Sequence, residues 1–167
     1  VVDHTQLVGV VGEFGRGVDI DDGATLQAVS VRLAANHSAG LRIADGAGAS
    51  VRGFVVDATK PDAKGNLGRG IQVDVGGVLV AVGVRLSANH SCGLCATGKG
   101  SQVTARGLII DNTETATAFT GSGAGAWAAD GATMDLESVR LSRNRLAGLG
   151  VLSSGTQVRL ARALIDA

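Results

Sequence analysis

The chain has 167 residues, enough for one domain with a sizeable core; 45% are hydrophobic but only 2% aromatic, with 26 glycines, one proline and no tyrosine. Fifteen basic and fifteen acidic residues cancel, which argues against nucleic acid as a partner, because phosphate binding needs clustered Lys and Arg. No run approaches the roughly 20 apolar residues of a membrane-spanning helix, and no segment has the charged start and apolar centre of a signal peptide.

The first phrase, Val1-Val2-Asp3-His4-Thr5, returns as Val55-Val56-Asp57-Ala58-Thr59, as Ile109-Ile110-Asp111-Asn112-Thr113 and, cut short, as Leu164-Ile165-Asp166-Ala167. The chain thus begins and ends at one phase of its own period, and residues 1–167 are expected to be a window on a longer array. A polar connection rich in small residues follows at 5–15, with counterparts at 59–68 and 113–123. Each leads into a run opened by glycine, the first being Gly17-Val-Asp-Ile-Asp. Equivalent runs open at Gly40, Gly70, Gly93, Gly125 and Gly148, in steps of 23, 30, 23, 32 and 23 residues. Second glycines close them at Gly23, Gly46, Gly76, Gly98, Gly131 and Gly155. Alternation of apolar and polar residues between such turns predicts short strands with one buried face.

Further strand-like pieces follow, such as Thr25–Ala28 and Val29–Leu33. The next phrase is the most conspicuous. Val31-Arg-Leu-Ala-Ala-Asn-His-Ser-Ala-Gly-Leu41 recurs as Val84-Arg-Leu-Ser-Ala-Asn-His-Ser-Cys-Gly-Leu94 and as Val139-Arg-Leu-Ser-Arg-Asn-Arg-Leu-Ala-Gly-Leu149. Asn36, Asn89 and Asn144 stand 53 and 55 residues apart. A unit repeated at this period cannot bury its apolar face alone and must stack on its neighbours. Three units of about 54 residues result, at 15–67, 68–122 and 123–167, each divided in two. The prediction is an all-β single domain: a solenoid of six rungs with three short strands each.

Rungs of this length, with strands stacked on their equivalents, describe a right-handed parallel β-helix, whereas the left-handed kind uses hexapeptide repeats that are absent. The glycine-opened runs, the Val-Arg-Leu-Ser-x-Asn-His-Ser-x-Gly-Leu phrases and the phrases of two apolar residues followed by Asp-x-Thr resemble the parallel β-helix repeats of the pectin-lyase-like superfamily over essentially the whole chain. That superfamily hosts lyases, hydrolases, epimerases, adhesins and plain scaffolds, so the resemblance implies a fold and an extracellular or cell-surface setting more than an activity. It also implies that the long connections wall a polysaccharide groove. The face beside them would show Asp19, Asp21, Arg42, Gln72, Asp74, Cys95 and Trp127. Asp19, Asp21 and Asp74 are then the candidate acid and base groups on a sugar, and Arg42, Gln72 and Trp127 candidate ligand contacts, with Trp127 stacking on a ring. Asp22 and Asp45, in adjacent rungs, are the closer carboxylate pair and the one weak candidate for a calcium ion; no cofactor is otherwise expected.

Stacking assigns roles to the remaining repeats. With rungs about 4.8 Å apart, Val31, Leu33, Val84, Leu86, Val139 and Leu141 point inward, and Arg32, Arg85 and Arg140 form an outer row at roughly 9.6 Å spacing. Such a row is either a site for an acidic polymer or a solvated face. The asparagines are expected to take left-handed backbone and bond their own turns. His37 and His90 share a column with Arg145, and no second ligand type accompanies them. Cys92 and Cys95 have CxxC spacing, but alternation along a strand would face them opposite ways, so two free thiols are expected. Their counterparts are Ala39 and Ala147, and Arg42 and Gly150.

Near-identity of the units favours a structural or interaction module, a stiff segment of a larger secreted or surface protein, with polysaccharide or neighbouring repeats as partners and end-to-end self-association through open edges. The alternative is a carbohydrate-active domain, a polysaccharide lyase or hydrolase, with its groove beside the long connections. No arginine or lysine is placed as a lyase base, and an epimerase motif built on tyrosine cannot exist here.

Overall fold

The computed structural model describes the backbone of residues 2–3 and residues 15–118 and 121–166 in full. Among them there is no helix. The strands are β1 (Val2–Asp3), β2 (Val18–Ile20), β3 (Thr25–Val29), β4 (Arg32–Ala34), β5 (Ala39–Ile43) and β6 (Gly48–Arg52). They continue as β7 (Val55–Asp57), β8 (Arg69–Asp74), β9 (Val78–Val82), β10 (Arg85–Ser87) and β11 (Cys92–Thr97). The last are β12 (Gln102–Asp111), β13 (Ala124–Ala129), β14 (Thr133–Ser142), β15 (Ala147–Val151) and β16 (Gln157–Asp166).

Each strand pairs in parallel with the corresponding strand one coil away. One sheet has six strands in the order β2-β5-β8-β11-β13-β15. The other has ten: β3-β6-β9 and β1-β4-β7-β10 both run into β12, which continues through β14 to β16. The chain therefore winds in successive coils around one apolar interior, a β-solenoid-like architecture. Closing glycines set the first corner, with φ between 71° and 89° at Gly23, Gly46, Gly76, Gly98, Gly131 and Gly155, a backbone that glycine adopts without steric cost.

In the second half, two expected short strands join into one of ten residues. Gly107, Ser138 and Arg162 at the corner still take φ of 66°, 56° and 51°. Pairing nevertheless resumes at once beyond it, as in Arg106 with Glu137 and Leu108 with Val139. The corner there is a bend within a continuous ladder. In the first half, Ser30, Gly53 and Gly83 separate the strands instead, so Val29–Leu33 is two pieces.

The core is a set of aliphatic ladders. Leu33, Val56, Leu86, Ile110 and Leu141 stack in one, each fully buried; Leu41, Ile71, Leu94 and Ala126 stack in another. Burying a Val, Leu or Ile side chain is worth about 1.5–3 kcal/mol, and among the described residues Phe54 is the largest side chain fully enclosed. In the last coil the inward positions are half open: Leu160 and Ile165 are 37% and 47% exposed, against complete burial of their partners Leu136 and Leu141.

The asparagines depart from expectation. Left-handed backbone falls on the preceding residue, Ala35, Ala88 and Arg143, each at φ 51°. The side chains bond neighbouring coils, not their own turns: Thr59 N donates to Asn89 Oδ1 at 3.0 Å, and Asn89 Nδ2 donates to Val56 O at 3.1 Å. Thr113 N likewise donates to Asn144 Oδ1 at 3.2 Å. Asn and Thr alternate up this column because the threonine phrase stacks on the asparagine phrase. The Asn89 and Asn144 amides satisfy backbone groups that the corner would otherwise leave without partners.

Candidate functional site: the loop-flanked face

The outer surface of the six-stranded sheet carries two side-chain columns read from sequence. Asp19, Arg42, Gln72, Cys95, Trp127 and Gly150 occupy equivalent positions, and Ala44, Asp74, Thr97 and Ala129 lie two residues on, with Asp21 in line. Two long connections, 58–68 and 112–123, rise beside β8 and β13. They touch across the intervening coil, where Ala118 N and Thr117 Oγ1 donate to Gly65 O at 2.9 and 3.3 Å. Gly68 and Arg69 N both donate to Ser38 O, and Gly123 and Ala124 N to Ser91 O, so both connections are tied down the same way. Of the first expected connection, residues 5–14 lie outside the described residues.

The candidate carboxylates are engaged. Asp19 accepts from Arg16 and, at 3.0 Å, from Arg42. Asp74 accepts from Gln72 and, at 2.6 Å, from Thr97 Oγ1. Asp21 is exposed at the strand end. Asp22 and Asp45 sit at the turn with φ of 51° and 52°, and Asp45 lies 3.8 Å from Arg42. Among the described residues no group of three His, Cys, Asp or Glu side chains could hold a metal ion.

The cysteines are not free thiols. Cys92 and Cys95 form a disulfide, with Cα atoms 6.0 Å apart, and both are buried. The alternation argument fails at the strand's first residue. Cys92 N donates to His90 O at 2.6 Å, a two-residue turn, which swings Cys92 out of the regular pleat onto the side of Cys95, while Leu94 and Ala96 enter the core. Ala39 N and His37 O repeat this bond; there no second cysteine is present to register it.

Above the disulfide lies a cavity of about 150 Å³ walled by Arg69, Cys92, Cys95, Trp127, Ser122 and Leu146 among others. Trp127 leans over the next coil, where only a glycine, Gly150, leaves room for its ring. Arg69 is the residue that sequence reasoning missed. Its column otherwise holds Ala39, Ala124 and Ala147, with Cys92 between, so a lone arginine among small residues was the available signal. Burial pushes its guanidinium below the ordinary arginine value, and the Asp74 carboxylate acts in the opposite direction.

The opposite, ten-stranded face is different. Arg32, Arg85 and Arg140 point outward as expected, but each meets an aspartate one coil on: Asp57 at 2.6 Å, Asp111 at 2.9 Å and Asp166 at 3.6 Å. The arginine phrase and the aspartate phrase are two halves of one charge-paired ladder. His37 and His90 use Nδ1 on backbone carbonyls of Pro61 and Thr59, at 3.0 and 2.9 Å.

Comparisons of the chain with protein-family models, with curated proteins and with solved structures find no match.

Proposed function

We propose that the chain is a stiff segment of a larger secreted or cell-surface protein, a right-handed parallel β-helix of six rungs that holds its loop-flanked face toward polysaccharide. The observation that carries this reading is the contrast in how side chains on the two faces are used. Arg32, Arg85 and Arg140 are matched to aspartates; on the loop-flanked face Arg42 and Gln72 are likewise held by Asp19 and Asp74, and the side chain left to meet a ligand is the half-buried Trp127, in line with them along the axis and beside a cavity. Successive coils are spaced at about 4.8 Å, a pitch suited to an extended chain lying along the sheet, and a tryptophan ring offers an apolar face to a sugar. An oxidising setting is supported by the Cys92–Cys95 bridge, since such bonds persist outside the cytosol.

Binding is favoured over catalysis because the candidate acid and base groups Asp19 and Asp74 are already held by Arg42 and Thr97. The test is a screen against neutral and uronate polysaccharides, read for binding and for cleavage, with and without calcium. Binding without cleavage is expected. Cleavage abolished by Asp19→Asn, Asp21→Asn or Asp74→Asn would replace this reading with the lyase or hydrolase.

A further inference from the structure

We propose that the cavity over the Cys92–Cys95 disulfide binds a compact, ring-bearing monocarboxylate, with its carboxylate on the Arg69 guanidinium and its ring against Trp127 and the disulfide.

The volume sets the size. About 150 Å³ is room for a single six-membered ring. The walls set the character of that ring. Trp127, Leu146 and the disulfide are apolar, and the Ser122 hydroxyl already accepts from Ala116 N at 2.8 Å. A sugar ring would lose water at several hydroxyls and recover few hydrogen bonds here, whereas an aromatic or alicyclic ring loses nothing.

Arg69 sets the charge. Its Nε is buried with no hydrogen-bond partner, and the guanidinium forms no ion pair among the described residues. Asp74, the neighbouring carboxylate, is occupied by Gln72 and Thr97. Arginine stays protonated even when desolvated, so the fold holds a largely buried cation without a hydrogen-bonded counter-ion, an arrangement that an incoming anion relieves. Nothing in the coil requires the residue, because alanine serves at the same position in β5, β13 and β15. One cation, not several, matches one carboxylate in preference to a phosphate.

This site does not rest on the polysaccharide reading, since it is probed with no polymer present. Trp127 is the only tryptophan, so its fluorescence reports the cavity directly. The oxidised chain is titrated with benzoate, with glucuronate and with benzyl alcohol as the uncharged control. Expected is a saturable change with benzoate, weaker binding of glucuronate and none of benzyl alcohol. Arg69→Gln should weaken benzoate by roughly tenfold or more, and Arg69→Lys by less, with far-UV circular dichroism confirming that both variants fold. No saturable response to benzoate, or a response that Arg69→Gln leaves unchanged, overturns the proposal. Glucuronate binding more tightly than benzoate overturns the assignment of an apolar ring.

Discussion

The two faces of the solenoid treat the same repeat in opposite ways. On the ten-stranded side the pattern is kept: Arg32, Arg85 and Arg140 each pair with an aspartate one coil away, and Asn89 and Asn144 bond the coil beside them. On the six-stranded side it is broken, at Arg69 among alanines, at the Cys92–Cys95 bridge and at Trp127 over Gly150. Stacking rewards identical neighbours, so a kept position is explained by the fold alone. A departure needs a separate reason, and here the departures collect around one cavity.

The comparison is broken most severely from the repeat side. Asn89→Ala strands Thr59 N and Val56 O in a closed interior, and each buried unsatisfied group costs about 1–3 kcal/mol. Urea unfolding should show a loss of about 2–4 kcal/mol, with Trp127 emission in the folded state unchanged. An effect below the scatter of surface mutations would mean that the asparagine column is not structural.

Removing the bridge with Cys92→Ala and Cys95→Ala should cost no more than about 2 kcal/mol, because the closed loop is short. It should, however, alter Trp127 fluorescence, since the bridge shares a cavity with the ring. Unaltered emission would separate the disulfide from the cavity. Gly150→Ala sharpens the same point more gently: the added methyl meets the Trp127 ring, and the emission should shift to the red as the indole is pushed toward water.

Arg85→Ala should do least. Its partner Asp111 is buried but the arginine is 55% exposed, and pairs open to solvent contribute about 0–1 kcal/mol. Thermal melts of wild type and variant should converge as salt is raised.

Much of this was legible beforehand because stacking turns sequence period into spatial column. Asp19, Arg42, Gln72, Cys95 and Trp127 fall in one line for that reason alone. Alternation could not reveal the bond from Cys92 N to His90 O, which rotates the first residue of the strand out of the pleat, and so the disulfide escaped it. The asparagine partners escaped because they lie 30 to 34 residues away in sequence, beyond any local turn rule. The aspartate phrase was seen as a repeat but not as the partner of the arginines, since that pairing depends on register between coils.

The central claim, that ligands meet the broken face and not the kept one, is tested most directly by calorimetric titration of whichever polysaccharide the screen identifies. Two variants are compared: Trp127→Ala, and the combined Arg32→Ser, Arg85→Ser and Arg140→Ser. The account predicts that Trp127→Ala abolishes binding while the triple variant binds as wild type does. Loss of binding in the triple variant alone would place the ligand on the arginine ladder and contradict it.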